Sequence, residues 1–260
     1  INVGCPSDRV KSGQFGACLM ARPNIVADCF RTMQGETDVP VSVKTRLGID
    51  DHDDYPFLLR FVEALHDAGC RKFIVHARIA LLSGLSPKEN RTVPPLNYAR
   101  VYRLKRDFPD LDIVLNGGIT DIAGVDTALD TLDGAMIGRQ AYHQPYFLAE
   151  LERHFDPDFD LPARSDVVEA MLPYIDRAVD EGVPLGRITR HMLGLFSGQP
   201  GARLWRRHIS ENAHREGAGS EVLVGALSSM PPAAEAATIE RPTAAASITG
   251  HSPPNEREIR

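Results

Sequence analysis

A cysteine at the end of the first apolar run of the chain is placed to act as a proton donor. Gly4 ends that run, Cys5 follows it, and Pro6 fixes the backbone beyond the thiol. In a β/α protein this position is the C-terminal tip of a strand, where catalytic groups are placed. A neutral thiol there could protonate a carbon atom. The alternative for an isolated cysteine is a small buried hydrophobe in a loop.

Four further residues follow short apolar runs and predict a shared catalytic edge. Lys44, His76, Asn116 and Gly138 are separated by 32, 40 and 22 positions, each compatible with one β/α unit. Continuous apolar strands are typical of parallel sheets that are covered on both faces. The repeat predicts an α/β fold, and specifically the C-terminal part of a TIM (β/α)8 barrel, in which all strand ends lie on one catalytic face.

The segments between these residues predict the elements that position them. Residues 18–33 have helical periodicity broken at Pro23, with Asn24 expected to cap the second piece. The long loop at 77–95 is expected to be functional. The remaining elements are strands at 40–44, 72–75, 112–115 and 134–137, and helices at 55–68, 97–108 and 121–129.

The residue types at the strand ends suit a flavin with a phosphate. Lys44 could stabilise an anionic ring or phosphate, His76 could donate to a flavin carbonyl, and Arg78 could meet a phosphate. Taken singly, Lys44 could also be a salt-bridged surface lysine, and His76 a structural histidine. The glycines within 116–118 and 138–139 would let backbone N–H groups approach a phosphate after the last two barrel strands. Together these features predict an FMN-binding barrel.

The character of the chain changes near residue 156. Helices are predicted at 166–180, 185–192 and 202–214, with no strand pattern between them, and residues 187–215 contain six arginines but one acid, Glu211. We therefore expect a partial barrel at 1–155, a helical domain at 156–227 and a disordered tail at 228–260.

The composition is that of an ordinary soluble protein. The chain has 260 residues, 43% hydrophobic and 25% charged, with a net charge of −6. No apolar run approaches the roughly 20 residues of a membrane span, and we expect no signal sequence. The four cysteines lack metal-ligand spacing, so we expect no metal site and a reducing, cytoplasmic setting.

Several motifs, taken in order, resemble those of the tRNA-dihydrouridine synthases, and two of them resemble the A-type bacterial subfamily specifically. The resemblance covers about residues 1–227. The family motifs are NVGCPS at 2–7, GACLM at 16–20, KTR at 44–46, HAR at 76–78, NGG at 116–118 and GR at 138–139, and the subfamily motifs are LSGLSPKENR at 82–91 and HMLGLF at 191–196, continuing to WRR at 205–207.

This resemblance implies an FMN enzyme that reduces the C5–C6 double bond of uridines 20 and 20a in the tRNA D-loop. NADPH (or NADH) would reduce FMN, reduced FMN would pass hydride to C6, and Cys5 would protonate C5. Separately, we expect a monomer when the protein is full length. The matched cofactor residues are Lys44, His76, Asn116, Gly117, Gly118, Gly138 and Arg139.

A second set of residues is expected to bind the tRNA, from which a base must leave the stack to reach a barrel mouth. Asn2 is the matched candidate for holding the base. Arginines at i, i+3 and i+4 can share one helical face toward phosphates, although such a cluster can also be a solvated basic face. These arginines are Arg203, Arg206 and Arg207, and the candidates on the long loop are Arg78, Ser86, Lys88, Glu89 and Arg91.

The sequence departs from the family at its front. A closed barrel needs eight strands, whereas this chain has four predicted strands and the end of another. We expect that about 90–100 residues, or three β/α units, are missing. On that expectation the chain as given folds poorly and binds FMN weakly.

Two other functions stay open at this point. The first is an FMN-barrel oxidoreductase that acts on a small molecule, for which a basic helical domain would be unnecessary. The second is a non-catalytic RNA-binding module, for which Cys5, Lys44 and His76 would be unnecessary.

Overall fold

The computed structural model describes residues 1–7 and 13–231, and its centre is a parallel sheet. Five strands pair in chain order, each parallel to the next. The predicted α/β fold of the TIM-barrel type is confirmed. The strands are β1 (Asn2–Val3), β2 (Val43–Thr45), β3 (Lys72–His76), β4 (Asp112–Asn116) and β5 (Gly134–Met136).

The register of the sheet brings the strand ends together. His76 lies opposite Asn116, which lies opposite Met136, and Asn2 lies opposite Lys44. Because all the strands are parallel, their carboxyl ends meet at one edge.

A helix follows each strand and covers the sheet, as the alternating pattern predicts. Asp54 begins the second of these helices by accepting a hydrogen bond from the Phe57 N–H at 2.6 Å, and Gly69 follows its end with a φ of +101°. The helices are α1 (Pro23–Gly35), α2 (Tyr55–Asp67), α3 (Tyr98–Asp107), α4 (Ile122–Leu129), α5 (Arg139–His143) and α6 (Phe147–Phe155), with 3-10 turns at Gly16–Ala21 and Glu89–Arg91.

Two local predictions in the first half of the chain are wrong. Asn24 does not cap α1, because Pro23 already occupies the first helical turn and Arg22 stands at the cap position. The strand predicted from Pro40 begins at Val43 instead. Pro40 has no N–H to give to a sheet, and the Val41 N–H donates to the Gln34 side chain at 2.9 Å.

The described residues after α6 form helices packed around a second hydrophobic cluster. Trp205 is fully buried there, donates to the Met192 carbonyl at 3.2 Å, and lies 4.8 Å from the Phe196 ring. The first cluster is formed by the sheet and the helices that cover it. The helices of the second part are α7 (Arg164–Asp180), α8 (Leu185–Thr189), α9 (Ala202–Asn212) and α10 (Glu221–Ser228).

The sequence pattern did not indicate α5, α6 or α10. The disordered tail predicted at 228–260 starts too early, because Ser228 is the last residue of α10 and Met230 packs against the second hydrophobic cluster. Residues 232–260 lie outside the described residues. Among the helices of the described ranges, none combines the length and the apolar character that a membrane crossing needs.

Candidate active site

A cavity of about 940 Å³ lies at the carboxyl edge of the sheet. Its lining includes Cys5, the strand-end residues and part of the long loop. None of the described residues that line it is acidic, whereas five of them are lysine or arginine. These five are Lys44, Arg46, Lys88, Arg91 and Arg139. A cavity with this charge balance suits an anionic ligand.

Lys44 and Asn116 are joined directly at this edge. The Lys44 ammonium donates to Asn116 Oδ1 at 2.8 Å, and Asn116 Nδ2 donates to the Met136 carbonyl at 2.8 Å. Burial, with a smaller contribution from Arg46, lowers the pKa of Lys44 to about 8. The lysine is therefore mainly protonated at neutral pH, but it loses its proton at a lower pH than an ordinary lysine does.

His76 is buried between cationic neighbours. Burial lowers its pKa to about 3, and the charges of Arg46, Lys44 and Arg78 add to the effect. The imidazole is consequently neutral at physiological pH, and it can serve as a hydrogen-bond donor or acceptor but not as a cation.

The two glycines after β4 have conformations and surroundings that exclude a side chain. Gly117 has a φ of +109°, and a Cβ there would lie 2.5 Å from His76 Cδ2. Gly118 has a φ of +75°, and a Cβ there would lie 2.5 Å from Leu96 Cδ1. The Tyr98 hydroxyl donates to the Gly117 carbonyl at 2.6 Å and so fixes this turn.

Gly138 and Arg139 follow β5 and line the cavity beside the long loop. A Cβ on Gly138 would meet no atom within 4 Å, so the cavity is open directly over that backbone. Arg139 donates to the Arg91 carbonyl at 3.0 Å, which joins the end of β5 to the long loop. Both Gly138 and Arg139 line the cavity.

Cys5 and Asn2 stand at the end of β1. The Cys5 thiol is partly buried, lines the cavity and lies 3.6 Å from the Ser7 hydroxyl. Asn2 accepts from the Gly4 N–H at 3.0 Å, and its side chain therefore holds the turn that leads to the cysteine.

Residues of the long loop divide between the cavity and local structure. Lys88 and Arg91 line the cavity. Ser86 and Glu89 bond each other instead, since Glu89 accepts from the Ser86 hydroxyl at 2.6 Å and from its N–H at 2.8 Å. Arg78 is 9% exposed, which differs from the surface position expected of a tRNA contact. It donates to the Pro94 carbonyl, and its Nε has no partner among the described atoms.

The three arginines of α9 are exposed, whereas Trp205 and Ile209 on the same helix are buried. Arg207 bonds Glu211 at 2.8 Å, and it is the only one of the three with an ion pair to a described carboxylate. Arg203 and Arg206 thus present the least compensated charge of this face.

Sequence reasoning assigned no contact to three residues of the site region, although Arg46 stands in the KTR motif at 44–46. Arg46 and Tyr98 bond backbone carbonyls beside the cavity, and Tyr142 on the cavity wall bonds His191 at 2.9 Å. Arg46 lies two positions after Lys44, and that spacing on a strand would have placed both side chains on the same face.

The fold and site define an α/β protein with a cationic ligand cavity at the carboxyl edge of a parallel sheet. The family model described as Dihydrouridine synthase (Dus) matches residues 1–230. The chain therefore belongs to the dihydrouridine synthase family of enzymes.

Curated relatives share the greater part of the chain. It is 54% identical over 233 residues to the tRNA-dihydrouridine(20/20a) synthase of Vibrio cholerae, which covers 89% of this chain and 71% of the relative. The enzyme of the same name from Vibrio parahaemolyticus is 56% identical, over 89% of this chain and 72% of the relative. That of Escherichia coli O6:H1 is 55% identical, over 87% and 69%.

Proposed function

We propose that this chain reduces the C5–C6 double bond of uridine in tRNA, at positions 20 and 20a, using FMN and NADPH or NADH. The observation that carries the proposal is the cavity in which a thiol, Cys5, shares the lining with five cationic side chains and no described acid. The names of the relatives supply the substrate and the positions.

The cavity residues fit a flavin that carries a phosphate. The space over Gly138 would admit a phosphate close to the backbone, beside the Arg139 guanidinium. The residues proposed to hold FMN are Lys44, His76, Asn116, Gly117, Gly118, Gly138 and Arg139. When bound, FMN reduced by the nicotinamide supplies the hydride that uracil C6 accepts.

The chain's own residues would handle the base and the proton. Asn2 and Arg91 on the cavity lining would orient the uracil ring. The Lys44 ammonium would offset negative charge that develops on the ring oxygens. The Cys5 thiol would then transfer its proton to C5, and the resulting thiolate would regain a proton from solvent.

The arginine face of α9 would bind the tRNA backbone. Arg203 and Arg206 lie on the solvent side of the helix, where phosphates can reach them, and Arg207 adds a third charge. The division at residue 155 into a catalytic part and a helical tRNA-binding part, ending at 227, belongs to the same proposal. Each part has its own hydrophobic cluster, which supports this division.

The test is an anaerobic reaction of the chain in the presence of reduced FMN at a concentration high enough to saturate a weak site. Unmodified tRNA is added, and flavin oxidation is followed at the visible absorption band. We expect tRNA with uridine at 20 and 20a to oxidise the flavin, and a matched transcript with cytidine at both positions to leave it reduced. Equal rates with the two transcripts, or no oxidation with either, would refute the proposal.

A further inference from the structure

Arg46 is a buried arginine that lines the cavity and has no individual role assigned in the proposed chemistry. It follows the strand residue Lys44 by two positions, and only 3% of its surface is exposed. Its Nε donates to the Gly4 carbonyl at 3.1 Å, and its Nη1 donates to the carbonyls of Asn90 at 2.9 Å and Ile79 at 3.3 Å.

The charge of Arg46 is held without a compensating carboxylate in the described residues, since all three of these hydrogen bonds go to backbone carbonyls. Burial, with the nearby charges of Arg78 and Arg91, lowers its pKa to about 10, so it stays protonated at neutral pH. Burying an unpaired charge is costly for stability. A role in stability alone therefore explains this residue poorly.

The three carbonyls belong to two loops that are far apart in sequence. The Gly4 carbonyl immediately precedes Cys5, while Ile79 and Asn90 bracket the segment that leads to Arg91. The buried Asn90 side chain folds this second loop, because it accepts from the Leu81 N–H at 2.8 Å and donates to the Leu81 carbonyl at 2.9 Å. Arg46 thus joins the cysteine loop directly to a loop that is closed by its own side-chain hydrogen bonds.

We infer that Arg46 is a positioning residue that fixes the Cys5 loop relative to the segment at 79–91, which carries Lys88 and Arg91. The inference rests on the proposed function for its catalytic meaning, because Cys5 must face the base that the second loop helps to hold. The planar guanidinium of arginine can donate to carbonyls on both loops at once. A lysine at this position has one ammonium group and cannot reproduce that arrangement of donors.

The first experiment needs neither cofactor nor tRNA. Arg46→Lys is treated with iodoacetamide, and alkylation of each cysteine is timed by mass spectrometry. We expect Cys5 to react at least threefold faster than in the unsubstituted chain, because its loop is released. Cys70, which is fully buried, should react at an unchanged rate. Faster reaction at both cysteines, or at neither, would overturn the inference.

A matched control distinguishes this role from ordinary packing. Arg164 also has a largely buried guanidinium that donates to a carbonyl, that of Leu195, but it does not line the cavity. Arg164→Lys should lower thermal stability and leave the rate at Cys5 within twofold of the unsubstituted chain. An equal acceleration at Cys5 in both variants would also overturn the inference.

The second experiment separates the two half-reactions. With Arg46→Lys, reduction of bound FMN by NADPH should stay within twofold, while oxidation of the reduced flavin by tRNA should slow at least tenfold. Equal slowing of both steps would mean a general structural role and would overturn the inference.

If the unsubstituted chain does not react with tRNA, the proposed function fails, and the alkylation result still decides the positioning role. Should Arg46→Lys be insoluble, Arg46→Gln replaces it, and insolubility of both would assign Arg46 to folding and overturn the inference.

Discussion

The Lys44 ammonium and Asn116 Oδ1 lie 2.8 Å apart and connect β2 to β4 across the strand between them. Asn116 in turn reaches β5 through the Met136 carbonyl. This short chain of hydrogen bonds spans four of the five strands at the carboxyl edge. It holds the Lys44 ammonium at the floor of the cavity, and the lowered pKa of that group is the basis of the first prediction.

Lys44 should make FMN binding sensitive to alkaline pH. Because the pKa of Lys44 is lowered to about 8, the free protein loses this charge as the pH rises above 8. An anionic ligand favours the protonated form, so the dissociation constant should rise about tenfold between pH 8 and 9.5. Fluorescence titration with FMN measures this dissociation constant at each pH. In Lys44→Met the constant should be larger at pH 7 but flat over this range, and a parallel rise in both proteins would contradict the prediction.

His76 should destabilise the fold in mild acid. Its pKa is about 3 in the folded chain against 6.5 in the unfolded chain, so the unfolded state binds more protons as the pH falls below 6.5. The free energy of unfolding should therefore drop by about 2 kcal/mol from this residue between pH 7 and 5. Glutamine does not titrate in this range. In urea unfolding of His76→Gln, the free energy of unfolding should therefore fall by that much less between pH 7 and 5. Identical pH slopes in the two proteins would show that His76 is not buried as described.

Two glycine substitutions should separate folding from ligand binding. Gly117→Ala should destabilise the chain by about 1–3 kcal/mol, because its φ is +109° and the new methyl meets His76. Gly138→Ala should leave stability within about 0.5 kcal/mol, since its Cβ would meet no protein atom. FMN affinity of Gly138→Ala should nevertheless fall at least tenfold. Unchanged affinity would mean that no phosphate approaches that backbone.

Arg206 should contribute to tRNA binding through charge alone. Arg206→Ala should weaken tRNA binding and reduce the slope of log K against log salt by about 1, with no change in flavin content. Arg207→Ala should have a smaller effect, because Glu211 already pairs with that side chain at 2.8 Å. Arg60→Ala, at an exposed position on α2, is the control. If the slope of log K against log salt is the same for Arg206→Ala as for the control, this face is not part of the tRNA-binding surface.

The strand-end residues were predictable because a parallel sheet turns sequence spacing into proximity. The apolar runs that end at Lys44, His76 and Asn116 were sufficient to place these side chains at one edge. The helix starts were less predictable: the preference of Asn24 for a cap was overridden by Pro23, which suits the first helical turn.

The contacts that hold the loops could not be predicted. Arg46 bonds carbonyls 33, 42 and 44 positions away, and backbone acceptors leave no trace in the residue types of those positions. Tyr98 is likewise identified only by the Gly117 carbonyl that it meets after folding. Such links depend on how the loops pack, and residue type and periodicity do not encode that.

The central claim is tested most directly by the nucleosides of tRNA treated with the chain. Unmodified tRNA is incubated with the chain, FMN and NADPH, and its fragments are mapped by mass spectrometry. We predict uridines heavier by the two added hydrogens at 20 and 20a, with formation at least about a hundredfold slower in Cys5→Ala. That variant should keep its tRNA affinity within a few-fold. Unreduced uridines at both positions, or full activity in Cys5→Ala, would contradict the account.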